Sequence, residues 1–257
     1  MFEERNIFMT DKFIEILTNL NYLFPKDNSV VTCIELGEEI TGEYKEIMFF
    51  PPNYTSDLDC IYCDVEGYKN DCIKKFYDSE YLYDVEKTYQ MKSKGHKALK
   101  HNVNIFSNRI DSKYRSDFAF NDGKFEDIQK IHHEWIATDV VFEENKALMI
   151  DLIVNHINAF TELQRKVFYL EGEPVGFILF DESPSYIHVF FSYAIPTVEY
   201  VHDYMMWMFF RYLMQKKTKK LVNFGGVYGD NNIKKDKDRL CPYVVRDRWS
   251  WLGRSHL

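Results

Sequence analysis

The densest run of chemically capable residues lies between Leu221 and Pro242, LVNFGGVYGDNNIKKDKDRLCP. Apolar Leu221, Val222 and Phe224 read as a buried strand. Gly225, Gly226 and Gly229 then allow left-handed backbone or close approach to a ligand. Asp230, Asn231 and Asn232 follow, and Lys234, Lys235, Lys237 and Arg239 close the segment with a cluster of cations. Free backbone N–H groups beside lysines make a place for an anion, such as a phosphate. The same pattern also describes a tight turn followed by a charged helix in water, so these residues alone leave both readings open.

A second concentration of cations runs from Lys87 through Lys92, Lys94, Lys97, Lys100, Arg109, Lys113 and Arg115. Leu99, Val103 and Phe106 can form the apolar face of a helix that carries them. The net charge of -8 excludes general attraction to nucleic acid or anionic membrane, so any such contact needs a local patch. If the two basic segments converge, Lys97, Lys100, Lys234, Lys235 and Lys237 make one, fit for the phosphates of CoA or of a tRNA end. His188 and Asp230 are the candidates for proton transfer. A histidine in an apolar strand also serves as a core residue, and an aspartate before a helix also serves as its cap.

Other chemistries lack their patterns. His132-His133-Glu134 is not H-E-x-x-H, and no second pair completes Cys60-x-x-Cys63, so no metal site is expected. G-x-S-x-G, the P-loop and G-x-G-x-x-G are absent. Five irregularly spaced cysteines and an acidic start without a long apolar run lead us to expect a cytoplasmic protein with reduced thiols and no membrane-spanning segment.

The elements that must position these residues read as a mixed α/β chain. Helices are expected at 10–23, 71–77, in part of 86–108, and at 125–138, 144–160 and 198–215. Strands are expected at 28–36, 44–50, 59–65, 81–85 and 186–193, with a hairpin of 167–170 and 175–180 around Glu171-Gly172-Glu173-Pro174. A change of character near Asn121-Asp122-Gly123 places a domain boundary there, giving units 1–118 and 119–257.

Two motifs resemble the C-terminal domain of bacterial phosphatidylglycerol lysyltransferases and the related DUF2156 proteins, of the acyl-CoA N-acyltransferase (GNAT) superfamily. The family pattern N-L-G-x-x-x-G-D-x-G-L-R-R-x-K-x-K-F-x-P resembles Asn223-Phe224-Gly225, Gly229-Asp230, Ile233-Lys234-Lys235, Lys237, Arg239, Leu240 and Pro242, with Asn232 in place of a glycine. A weaker match covers Met91-Lys92-Ser93-Lys94, Lys97, Lys100, Val103, Asn104 and Phe106. The resemblance spans roughly Tyr81 to Arg246. It implies two tandem GNAT-like domains and transfer of an acyl or aminoacyl group to a small-molecule or peptide amine or hydroxyl. It places Lys237, Lys235 and Lys234 on the donor's carrier, Asn223, Gly225 and Gly226 around the pocket, and Asp230 on the acceptor. The junction Ser192–Glu199 has no glycine to cradle a pyrophosphate, and Glu199 would repel one. Aminoacyl-tRNA is therefore the expected donor, with acyl-CoA the alternative, and a non-catalytic binding module is the reading from another class.

Overall fold

The computed structural model describes residues 72–113, 117–136, 156–183, 186–227 and 231–253, with short pieces before residue 32. Seven strands make one sheet: β1 (Cys72–Asp84), β2 (Phe118–Asn121), β3 (Gln164–Leu170), β4 (Glu173–Glu182), β5 (Tyr186–Ala194), β6 (Leu221–Asn223) and β7 (Val244–Gly253). Their order is β2-β3-β4-β5-β6-β1-β7. Every neighbouring pair is antiparallel except β5 and β6, which are parallel.

The expected hairpin is β3 and β4, closed where Leu170 faces Glu173. Glu171 at φ 51° and Gly172 at φ 81° give it the doubly left-handed turn that suits twisted strands. The long apolar helix is α4 (Val201–Gln215). It buries Tyr204, Met205, Phe209, Phe210 and Leu213 against Phe168, Ile178, Phe180 and Val222 of the sheet. Beside it lie α1 (Val85–Gln90) and α2 (Lys97–Ser112), whose Leu99, Val103, Phe106 and Ile110 join the same core. A fourth helix, α3 (Phe125–Ile136), packs on β4 and β5 from the other face, over Phe177, Leu179 and Phe191. The charged segment is α5 (Asn231–Arg239).

One expectation is corrected. Residues 72–77 are strand rather than helix, because β1 pairs along its length with β7 from the far end of the chain. Tertiary pairing overrides the local pattern there. The boundary at 118/119 falls inside β2, and β1, α1 and α2 share one sheet and core with the later elements. Most residues before 72 lie outside the described residues, as do the strands expected at 44–50 and 59–65 and most of the helix at 144–160.

Candidate functional site

Three residue pairs join β5 to β6: Tyr186 with Leu221, Ile187 with Val222 and His188 with Asn223. The chain then leaves β5 and stays with β1. Phe224 N–H donates to Tyr81 O at 3.1 Å, and Tyr81 N–H donates to Gly225 O at 3.2 Å. Among the described residues, β5 beyond His188 is paired on its β4 edge alone. A fork thus opens between β5 and the glycine loop, residues 224–227.

Side chains hold that loop. Asn223 Nδ2 donates to Glu80 at 3.0 Å, and its Oδ1 accepts from Gly225 N–H at 2.7 Å. Gly225 sits at φ 63°, where a side chain would be strained. Lys237 reaches back from α5 and donates to Phe224 O at 2.5 Å and to Gly226 O. Its ammonium also lies 5.6 Å from the centre of the Tyr81 ring. Tyr83 donates its hydroxyl to Lys237 O at 3.0 Å, and burial pushes that hydroxyl's pKa well above the usual tyrosine value.

His188 is buried, with Nε2 3.0 Å from Ser183 Oγ. Directly opposed strand residues share a face. The register therefore lines up Asp181, His188 and Asn223 across β4, β5 and β6, with Glu80 one pleat further on β1. The polar row Asp181, His188, Asn223 and Glu80 is buried to between 2% and 9% exposure. Sequence reasoning missed Glu80 and Asp181, since only the register shows that they join Asn223 and His188.

The two basic segments meet. His96 Nε2 lies 3.1 Å from Leu240 O, and Lys87 Nζ sits 4.1 Å from the centre of the Tyr243 ring. Asp203 of α4, 4% exposed, accepts from Asn102 of α2 at 2.6 Å and from Arg239 of α5 at 2.9 Å. Asp203 was not foreseen either, because it reads as an ordinary acid in a first helical turn. Lys97 and Lys100 are exposed on α2, and Lys234 and Lys235 on α5. Lys234 is paired with Asp238. Lys92, Lys94, Lys97, Lys100 and Lys235 make no ion pair among the described residues. Asp230 lies outside the described residues, as do Cys60 and Cys63.

The junction between β5 and α4 presents Glu199, whose carboxylate bonds Arg109 at 2.8 Å. That bond holds the Glu199 pKa below the usual carboxylate value. No group of three or more metal-ligating side chains forms among the described residues, and no helix there is long and apolar enough to cross a membrane.

A mixed sheet with one forked parallel pair and helices on both faces is consistent with a GNAT-like fold. No protein-family model matches the chain, and no curated protein matches it. Solved structures do. A conserved protein of unknown function from Bacteroides thetaiotaomicron aligns over 72% of this chain with TM-score 0.56 and 16% identity. L-PGS from Bacillus licheniformis aligns over 73% with TM-score 0.51 and 14% identity. The C-terminal DUF2156 domain of a protein described as a lysylphosphatidylglycerol synthetase, from Agrobacterium fabrum, aligns over 72% with TM-score 0.52 and 10% identity. The alignments cover 63%, 63% and 62% of those chains, so this chain spans less than two thirds of each. The likeness is one of fold, and it is to the DUF2156 domain that the sequence motifs resemble.

Proposed function

We propose that the protein is an acyltransferase that takes an aminoacyl group from aminoacyl-tRNA and passes it to an amine or hydroxyl of a small molecule or peptide. The observation that carries this reading is the clasp of the two basic segments beside the glycine loop. The segments touch through His96 with Leu240 and through Asp203 with Arg239, and both carry exposed lysines free of ion pairs among the described residues, which supports binding of a phosphate-bearing carrier there. In this reading Lys97, Lys100 and Lys235, with Lys234, hold the carrier. The Asn223–Gly226 loop shapes the pocket, with Lys237 holding it in place, while His188 and Asp230 serve proton transfer. The fold shared with L-PGS supports the aminoacyl class, and Glu199 at the β5–α4 junction disfavours a CoA pyrophosphate there. Acyl-CoA is the second donor, because the β5–β6 pairing ends at His188 and Asn223 and leaves the β5 edge beyond them without a strand partner on that side among the described residues.

The test compares thermal shifts with an aminoacyl-tRNA pool, CoA and acetyl-CoA on the wild type and on Lys97→Ala/Lys100→Ala, followed by transfer assays with labelled aminoacyl-tRNA. Stabilisation by tRNA that weakens in the variant and falls steeply with salt supports the proposal. Stabilisation by CoA alone replaces it with an acyl-CoA-dependent N-acyltransferase. tRNA binding without turnover on any acceptor leaves a binding module.

A further inference from the structure

Away from the glycine loop, one set of side chains has the connections of an activated nucleophile. Ser93 Oγ lies 2.7 Å from His96 Nδ1. His96 Nε2 lies 3.1 Å from Leu240 O. A carbonyl oxygen only accepts, so Nε2 carries the ring proton and donates it. His96 is 2% exposed, and burial lowers its pKa and favours the neutral ring. Nδ1 then holds a lone pair, and the Ser93 hydroxyl donates to it. Cys241 Sγ, 3.5 Å from Ser93 Oγ, is left to donate weakly into the serine oxygen.

A nucleophile bonded to a base, with the base oriented by a third group, is the arrangement that activates a serine. Ser93 stands where a helix cap would, yet its hydroxyl makes no cap hydrogen bond. The carbonyl that orients His96 comes from Leu240, 144 residues away and itself buried, so tertiary packing fixes the ring. A Cβ at Gly95 would stand 2.5 Å from Cys241 Sγ, so glycine is what lets the turn close on that residue. Ser93 is exposed and can be reached. Lys92 and Lys94 flank it in the chain, both exposed and free of ion pairs among the described residues.

We propose that Ser93 is a nucleophile with His96 as its general base, giving the protein an ester-cleaving activity separate from the glycine-loop site. The substrate class is a small activated carboxylic ester. Ser93 Oγ attacks the carbonyl carbon as its proton passes to Nδ1. The bond to the leaving oxygen breaks, and that oxygen takes the proton from Nδ1, leaving an acyl ester on Ser93. Water then attacks with His96 again as base, releasing the carboxylic acid and restoring Ser93. The sequence of steps is redox-neutral.

The experiment incubates the full chain with p-nitrophenyl acetate, follows p-nitrophenolate release, and maps the acetyl group by peptide mass spectrometry. The expected result is acetyl on Ser93 and a rate lowered at least about a hundredfold in Ser93→Ala, because losing the nucleophile also forfeits the general-base assistance of His96, which is worth about that factor or more. Cys241→Ala keeps the label. His96 is buried and its replacement can unfold the chain, so its role is read from the wild-type pH profile. The rate must drop as acidification protonates the ring below the ordinary histidine value of 6.5. Acetyl found on Cys241 or only on lysines, an unchanged Ser93→Ala rate, or a flat acid limb would overturn the proposal. The probe carries no phosphate, so failure here leaves the tRNA reading untouched, and failure there leaves this one untouched.

Discussion

Lys237 and Lys235 are two residues apart and look alike in sequence, yet the fold gives them different work. Lys237 turns back under α5 and gives two of its three N–H donors to carbonyls of the glycine loop. Lys235 is exposed and makes no ion pair among the described residues. A hydrogen bond from a charged donor contributes about 1.5–3 kcal/mol, with the lower end suited to a half-buried ammonium. Lys237→Ala is therefore expected to lower stability by about 3 kcal/mol in urea unfolding, from the loss of two such bonds. Lys235→Ala is expected to stay within about 0.5 kcal/mol of wild type. If it contacts one phosphate, it should reduce the slope of log affinity for tRNA against log salt by about 1. A Lys237→Ala protein as stable as wild type would mean that this ammonium is available to a ligand instead.

At the scale of elements, Asp203 is the tie that brings the basic segments together, since its carboxylate accepts from both α2 and α5. Removing it leaves Asn102 without that acceptor, while Arg239 keeps Asp236. Asp203→Ala is expected to cost about 2–3 kcal/mol, less than a fully buried pair because Arg239 is partly solvated and retains a partner. A double-mutant cycle with Arg239→Ala should show coupling of at least about 0.5 kcal/mol, and strict additivity would mean that the clasp contributes nothing. Such ties explain what the sequence could and could not show. The β3–β4 hairpin, β5, α3, α4 and the glycine loop were legible because alternation, helical periodicity and turn residues are local signals. The strand at 72–77 was not, since its partner β7 lies at the other end of the chain. Nor was the polar row of Glu80, Asp181, His188 and Asn223, which exists only once β4, β5, β6 and β1 are in register. Asn223 and Gly225 are named by their motif and Gly226 as the neighbouring glycine, but the loop-holding position of Lys237 depends on the path of α5.

For the whole molecule, the exposed lysines sit on a chain of net charge -8, and its pH response comes from groups beneath that surface. His96 and His202 both have lowered pKa values, chiefly from desolvation. For His202, Asp236 and Asp203 pull the other way, and Arg239 adds to the lowering. Folding thus keeps both rings neutral at pH values where the unfolded chain protonates them. In that window the unfolded state binds more protons, so stability rises with pH and is lost on acidification. The loss starts as pH falls through the unfolded value of 6.5 and levels off below the depressed folded values. Glu199, held low by Arg109, has the carboxylate sign, and its contribution disappears only below the ordinary value of 4.5. Thermal unfolding should therefore give a flat Tm between about pH 8 and 7 and a decline beginning near 6.5, before carboxylates titrate. His202→Gln should make that decline shallower, leaving the share due to His96, while keeping a group able to bond Ser192, now 3.0 Å from His202 Nε2. A Tm that holds constant down to the carboxylate range would show that neither ring is kept neutral by the fold. It would also remove the basis for the acid limb expected of Ser93.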